Sequence, residues 1–492
     1  MILKNPILLI FIFISSWCHA QYQPDKVIVY DPTQTYSPKL LRSDFLIYRN
    51  VMEHVHPGLY AYTSKKQFDK IFDSVYHELN HDMTATEYRR MLIPIIKASH
   101  CEHTYTNTSK VYDNYLKRQA KQLPMTIKIF DRRFYVDHYY GRDGFFKTGD
   151  EILEINGKTT ETLIKDLLYS EGADGYNETK LWWALAHDFK DKYTDFEEDR
   201  GVFFMWVRKA GSKKTENMIV HGLTRDSIMY YKRIRYIYEV EKPCPLRIQV
   251  DSARSLAILT VRSFNPGVIG RYLPSYGDFI DSAIRLVNNK SIPNLIIDLR
   301  DNTGGSTYYG MSLYSHFSDK LFSYIKTTKQ KANRHFKYSQ YCDIDTDCFK
   351  DSAKFKRNMN GEYVMGENKL MGMAPSANHY SGKIYVLVNG GTMSAASFFC
   401  DMMYLNKRAF FVGDEVGGSY TALNGNPVNL TLPATGVAVS VPTRRFIDAV
   451  DNDVFNGHGV KPDYVVKPGV DDFITGRDME MDFAINKIGE PK

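Results

Sequence analysis

At 492 residues the chain has room for two or three domains, and a formal charge of +6 spread without any arginine-rich stripe excludes a nucleic-acid binder. The apolar share of 43% is that of a globular protein, and beyond the N-terminus no apolar run is long enough to span a bilayer. No Cys/His spacing resembles a zinc site, so neither a metal nor a cofactor is expected.

The first twenty residues read as an export signal. Lys4 gives a positive start, Pro6 to Ile14 an apolar core, and Cys18-His19-Ala20 a cleavage site before Gln21. Trp17 is too bulky for the position ahead of an acylated lipoprotein cysteine. The mature chain is expected in the periplasm or outside the cell. Of its cysteines, Cys101, Cys244, Cys342, Cys348 and Cys400, the pair Cys342 and Cys348 could staple a local loop in an oxidising compartment.

A helical region is expected over 38–118. Ser43 is placed to cap a helix carrying Phe45, Tyr48, Met52 and Val55 on one side. Ser64 with Gln67, and Thr84 with Glu87, make two capping boxes. The first precedes Phe68, Ile71, Phe72, Val75 and Leu79, and the second Tyr88, Met91, Leu92, Ile95 and Ile96.

Over 121–225 the pattern turns to strands: Met125 to Phe130, Phe134 to Asp137, then a strand ending at the hairpin turn Asn156-Gly157. A helix from Thr159 to Leu168 and a strand from Gly201 to Lys209 complete it. The Gly149-Asp-Glu-Ile-Leu-Glu-Ile-Asn-Gly157 stretch resembles a PDZ-like module, which binds extended peptide ends by adding a strand to a sheet edge. An unspecific small β domain is the alternative.

The region 245–470 alternates strands and helices. Leu246 to Val250 and Leu256 to Val261 form a hairpin, and a helix bearing Phe279, Ala283, Leu286 and Val287 leads into the strand Asn294 to Arg300. Lys383 to Asn389 is a second core strand, Ala395 to Leu405 the next helix, and Ala409 to Val412 the next strand. This is the signature of parallel βαβ units with right-handed crossovers. The polar stretch from Thr327 to Ser381 is too long for a connection and is expected to be a lid or an insertion.

Ser394 falls where a buried strand becomes a helix. A hydroxyl there faces free N–H groups at the positive end of the helix dipole, which suits either a nucleophile of acyl transfer or a plain N-cap. Asp301-Asn-Thr-Gly-Gly305 follows the neighbouring core strand. If the two turns adjoin, Gly304 or Gly305 and the N–H of Ala395 can form an oxyanion hole.

Four blocks in order, Leu295-Ile-Ile-Asp-Leu-Arg-Asp-Asn-Thr-Gly-Gly305, Thr392-Met-Ser-Ala-Ala-Ser397, Val412-Gly-Asp-Glu-Val-Gly-Gly418 and Gly459-Val-Lys-Pro-Asp463, resemble the C-terminal processing and tricorn-core serine peptidases, family S41. The resemblance covers nearly the whole mature chain. It implies an α/β fold with a ClpP/crotonase-like β-α superhelix core, peptidase activity on polypeptides, and Ser394 as nucleophile.

The family divides by its general base. One branch takes a lysine from a Thr-x-Gly-Lys-Gly segment, but Ser419 stands there in Val416-Gly-Gly-Ser-Tyr420. The tricorn-like branch takes a histidine from a block ending Gly-His-Thr or Ser-His-Thr, which Cys101-Glu-His-Thr104 resembles. His103 is thus the implied base, with His100 its competitor. An imidazole of intrinsic pKa about 6.5 suits taking and returning a proton. In that branch a glutamate ahead of the last block orients the base, whereas this chain has Asn456. Glu102, beside His103, is the other candidate for that task.

Ser394, then Asp448 or Asp451, then His458 imitates an α/β-hydrolase triad, but Thr392 and Ala396 stand where its Gly-x-Ser-x-Gly elbow needs glycine. Two functions therefore compete: an exported serine endopeptidase, and a non-catalytic relative binding peptides or small hydrophobic ligands at a decayed site. Oligomeric state is left open.

Overall fold

The computed structural model describes residues 30–489 except 108–109, 142–143, 198–200, 241–242, 334, 345–348, 350–353, 360, 366–371 and 451. The export signal and Cys348, and with it any Cys342–Cys348 bridge, lie outside the described residues. Among the described residues no helix is long and apolar enough to cross a membrane.

The N-terminal helices form as their caps dictate, with two adjustments. The first runs Pro38–Val55, with Ser37 at its N-cap position, its side chain making no capping bond, and Pro38 in its first turn, so Ser43 lies inside it rather than at its start. Proline's fixed φ favours the first helical position, and the extra turn buries Leu41 alongside Phe45, Tyr48, Met52 and Val55. Both capping boxes are present, Ser64 with Gln67 and Thr84 with Glu87. The helix expected to run on to Ile96 breaks into Ala85–Met91 and Ile93–Ala98, because Pro94 cannot continue a hydrogen-bonded helix.

Five antiparallel strands follow in chain order: Met125–Phe130, Arg133–Tyr139, Glu151–Ile155, Val202–Arg208 and Thr215–His221. Asn156 and Gly157 both take positive φ, 52° and 81°, as the tight turn to Lys158–Thr159 requires. The eighteen-residue helix Thr179–Phe196 has no counterpart in the sequence reading. It carries Leu185, Phe189 and Tyr193 into the core beneath these strands.

The central sheet has the order Leu246–Asp251, Leu256–Val261, Asn294–Asp298, Lys383–Val388, Phe410–Gly413, Tyr464–Val465. The first pair is antiparallel and every later pair parallel. Asp298 stands opposite Leu387, so the glycine turn and the serine turn leave the same edge of the sheet from adjacent strands. That carboxyl edge is where open α/β sheets present ligand sites.

A further sheet pairs Ala438–Asp448 with Ala422–Thr431 and with Ile325–Gln330. The stretch 327–381 is an insertion rather than a free lid: Tyr363–Met365 and Lys356–Arg357 extend this sheet. Its Ala332 and Phe349 share a core with the Pro38–Val55 helix. The short strand Tyr105–Asn107 also joins here, with Tyr105 opposite Ser440. This pairing carries the preceding Cys101–Thr104 block to the sheet of Ala438–Asp448.

Candidate functional site

Ser394 precedes the helix Ala395–Leu405 with φ 55° and ψ −126°, and its side chain makes no capping hydrogen bond. A non-glycine residue there is strained, and such strain persists only where surrounding structure enforces it. The enforcement is visible. Asn302, fully buried, accepts Met393 N–H on its backbone oxygen at 3.1 Å and donates its amide to Val261 C=O at 3.0 Å. Thr392 Oγ1 donates to Leu299 C=O at 3.0 Å, locking the serine turn to the neighbouring strand.

The two glycines of the adjoining turn differ. Gly304 donates its N–H to Asn302 Oδ1 at 3.0 Å, so that group is committed. Among the described residues, the N–H groups of Gly305 and Ala395 have no acceptor within the chain. Gly304 instead provides room, since a Cβ on it would meet Ser394 Cβ at 2.7 Å and Ala395 N at 2.9 Å.

His103 and Ser394 line one cavity of about 330 Å³, together with Gly304, Gly305, Ala395 and Phe446. No hydrogen bond joins His103 to Ser394 among the described residues; in unliganded sites such bonds are often long and tighten with substrate. The His103 turn closes through Thr104 N–H on Cys101 C=O at 3.2 Å. It is pinned from the first helix's end: Gly58 N–H donates to His56 Nδ1, leaving the His56 Nε2 proton for Thr104 Oγ1 at 3.0 Å.

Glu102 Oε1 lies 3.5 Å from His103 Nδ1. Asp174, which no sequence signal singled out, accepts the Glu102 N–H at 3.0 Å and is buried beside it. Burial holds His103 neutral, its pKa down to about 4, with the nearby Lys180 cation acting in the same direction. Burial, and then repulsion from Asp174, pushes the Glu102 carboxyl well above its usual range. Burial raises Asp174 to about 7. The pair therefore holds fewer than two negative charges near neutral pH and can respond when an imidazolium forms beside it.

The remaining candidates are elsewhere. His100 donates its Nδ1–H to Gly175 C=O at 2.6 Å and packs between Tyr62 and Tyr176, away from the cavity. Asn456 is exposed and does not line the cavity. Ser419, at the lysine position of the other branch, is buried against Tyr62. His458 pairs with Glu415 at 3.0 Å and lines a separate cavity of about 910 Å³ with Trp183 and Asp301. Asp448 is buried against Asp401, and Asp451 lies outside the described residues, so no Ser–Asp–His triad of the α/β-hydrolase kind assembles among the described residues. Trp183 was also missed: its Nε1 donates to Asp301 Oδ1 at 2.7 Å, tying the Thr179–Phe196 helix to the glycine turn.

A serine on a strained turn, a neutral imidazole and two unpartnered N–H groups around one cavity are the parts of acyl transfer. A solved structure agrees at the level of fold. The chain resembles the crystal structure of mature CPAF over 92% of its own length and 99% of that chain, with a TM-score of 0.64 at 16% identity. It also matches the photosystem II D1 C-terminal processing protease (TM-score 0.44, 13% identity, 92% and 97% covered). A third match is the tricorn protease (TM-score 0.39, 13% identity, 91% and 36% covered). No curated protein matches the chain in sequence. Residues 255–466 match the sequence profile of peptidase family S41. Residues 255–466 thus form a domain of peptidase family S41, the S41 serine peptidases.

Proposed function

We propose that this S41 peptidase is an exported endopeptidase of the histidine-using, tricorn-like kind. Ser394 attacks the scissile carbonyl, His103 takes its proton and returns it to the leaving amine, and the N–H groups of Gly305 and Ala395 hold the oxyanion. Glu102, with Asp174 behind it, balances the imidazolium in place of the acid that Asn456 lacks. Export follows from the first twenty residues. The core of 245–470 is a ClpP/crotonase-like superhelix in this reading, and the β-rich part of 121–225 is a PDZ-like module that docks the substrate chain.

One observation carries the reading: the uncapped side chain of Ser394, at φ 55°, shares its cavity with His103 and with the two unpartnered N–H groups. Burial keeps His103 neutral and therefore able to accept a proton. A serine-directed fluorophosphonate tests it, alongside cleavage of casein. Labelling and cleavage that vanish in Ser394→Ala and in His103→Ala are expected. Folded protein that takes no label and cuts no substrate would instead be a peptide-binding relative.

A further inference from the structure

His103 has two metal-capable neighbours. One ligand atom each of Cys101, His103 and Asp174 lies within 4.8 Å of the others. Zinc bonds of about 2.0–2.3 Å reach a shared centre once the three side chains draw together by up to about 1 Å. The three arrive by different routes. Cys101 and His103 flank Glu102 in one tight turn, while Asp174 reaches in from the loop ahead of the Thr179–Phe196 helix, held by Glu102 N–H. Asp174 is 2% exposed, yet its Oδ2 has no hydrogen-bond partner, and neither has His103 Nδ1. Buried polar atoms without partners are rare, and two of them on residues clustered with a thiol point to an ion.

We propose that Cys101, His103 and Asp174 form a zinc site whose occupation silences the general base. Thiol, imidazole and carboxylate together suit zinc, whereas magnesium and calcium take oxygen ligands. On binding, the Cys101 thiol and any protonated Asp174 release their protons to solvent. Thiolate and carboxylate then balance the two charges of the ion, the imidazole binds neutral, and a fourth position is left for water. A metal on Nδ1 obliges the neutral ring to carry its proton on Nε2, and a metal on Nε2 occupies that atom itself. Either way no ring nitrogen remains to accept the Ser394 proton. The ion enters through the cavity that His103 lines. The inhibition rests on the role proposed for His103; the metal binding does not.

The test titrates the purified chain with zinc chloride, and separately with cobalt chloride. Zinc is expected to lower peptide hydrolysis at least about tenfold, with EDTA restoring it, and cobalt to give a thiolate charge-transfer band. Cys101→Ala keeps the metal-free activity but loses the band and at least about tenfold in zinc sensitivity, since even a supporting group around a metal is worth that much. Ser394→Ala, inactive, keeps the band, so metal binding is read independently of catalysis. A folded wild-type chain with no cobalt–thiolate band, or zinc inhibition undiminished in Cys101→Ala, overturns the site.

Discussion

Gly304 passes so close to Ser394 that a Cβ on the glycine would lie 2.7 Å from the serine's own Cβ. Its φ of 87° is also one that side-chain-bearing residues rarely adopt. Gly304→Ala must therefore push the serine turn aside. A displacement of about 1 Å costs about a hundredfold in rate, so kcat/KM on a peptide substrate should fall at least that far. Near-native activity in the variant would mean that the two turns are not rigidly packed.

The strain at Ser394 predicts opposite effects on stability and activity. Ser394→Gly relieves the positive φ and should stabilise the chain by about 1 kcal/mol, the lower end for such strain, while abolishing fluorophosphonate labelling. Ser394→Ala abolishes labelling without that gain. Urea midpoints of the two variants, compared with wild type, separate strain from chemistry.

Charge compensation at His103 distinguishes Glu102 from Asn456. Glu102→Gln should lower kcat about a hundredfold or more, the range of general acid–base catalysis, with little change in KM. Asn456→Glu should leave kcat unchanged, because Asn456 is exposed and lines no wall of the cavity. A gain of activity in Asn456→Glu would return that position to the mechanism.

The contact between His56 and Thr104 holds the turn of His103, the proposed base, from outside the strands that carry Ser394. Burial lowers the His56 pKa to about 3, so the ring stays neutral and its one proton is spent on Thr104 Oγ1. Thr104→Val keeps the shape but strands that buried donor, at a cost of about 1–3 kcal/mol. Thermal unfolding should show the loss, and kcat should fall as His103 loses its anchor. Unchanged unfolding would show that another acceptor takes the proton.

Asp401, on the Ala395–Leu405 helix, is buried against Asp448. Burial and then mutual repulsion push Asp401 well above the carboxylate range, and burial raises Asp448. The folded chain thus keeps protons that the unfolded chain loses above about pH 4, so stability falls as pH rises through the folded values. Asp401→Asn removes one of these ionisations. Its urea midpoint should decline less than that of wild type between pH 5 and pH 8; parallel declines would exclude the pair as the cause.

Capping and periodicity are short-range, and they were legible. Ser64 with Gln67, Thr84 with Glu87, Asn156-Gly157 and the strand–serine–helix junction at 394 could be read because each depends on neighbours a few residues apart. The misreadings were local too: Ser43 in place of Ser37, and a helix carried through Pro94. The Thr179–Phe196 helix escaped because its face is mixed, with Lys180 buried among apolar residues.

The four sequence blocks pointed to the family and nominated the serine, and a histidine next to a threonine was nominated as the base. What they could not supply was proximity. His103 reaches the cavity of Ser394 only because Tyr105–Asn107 pairs with Ala438–Ser440, more than three hundred positions along the chain. The place of Asp174 beside Glu102 was likewise decided by folding. Side-chain pattern encodes which elements form; which of their ends meet is set by strand pairing and burial between distant segments, and no local spacing records it.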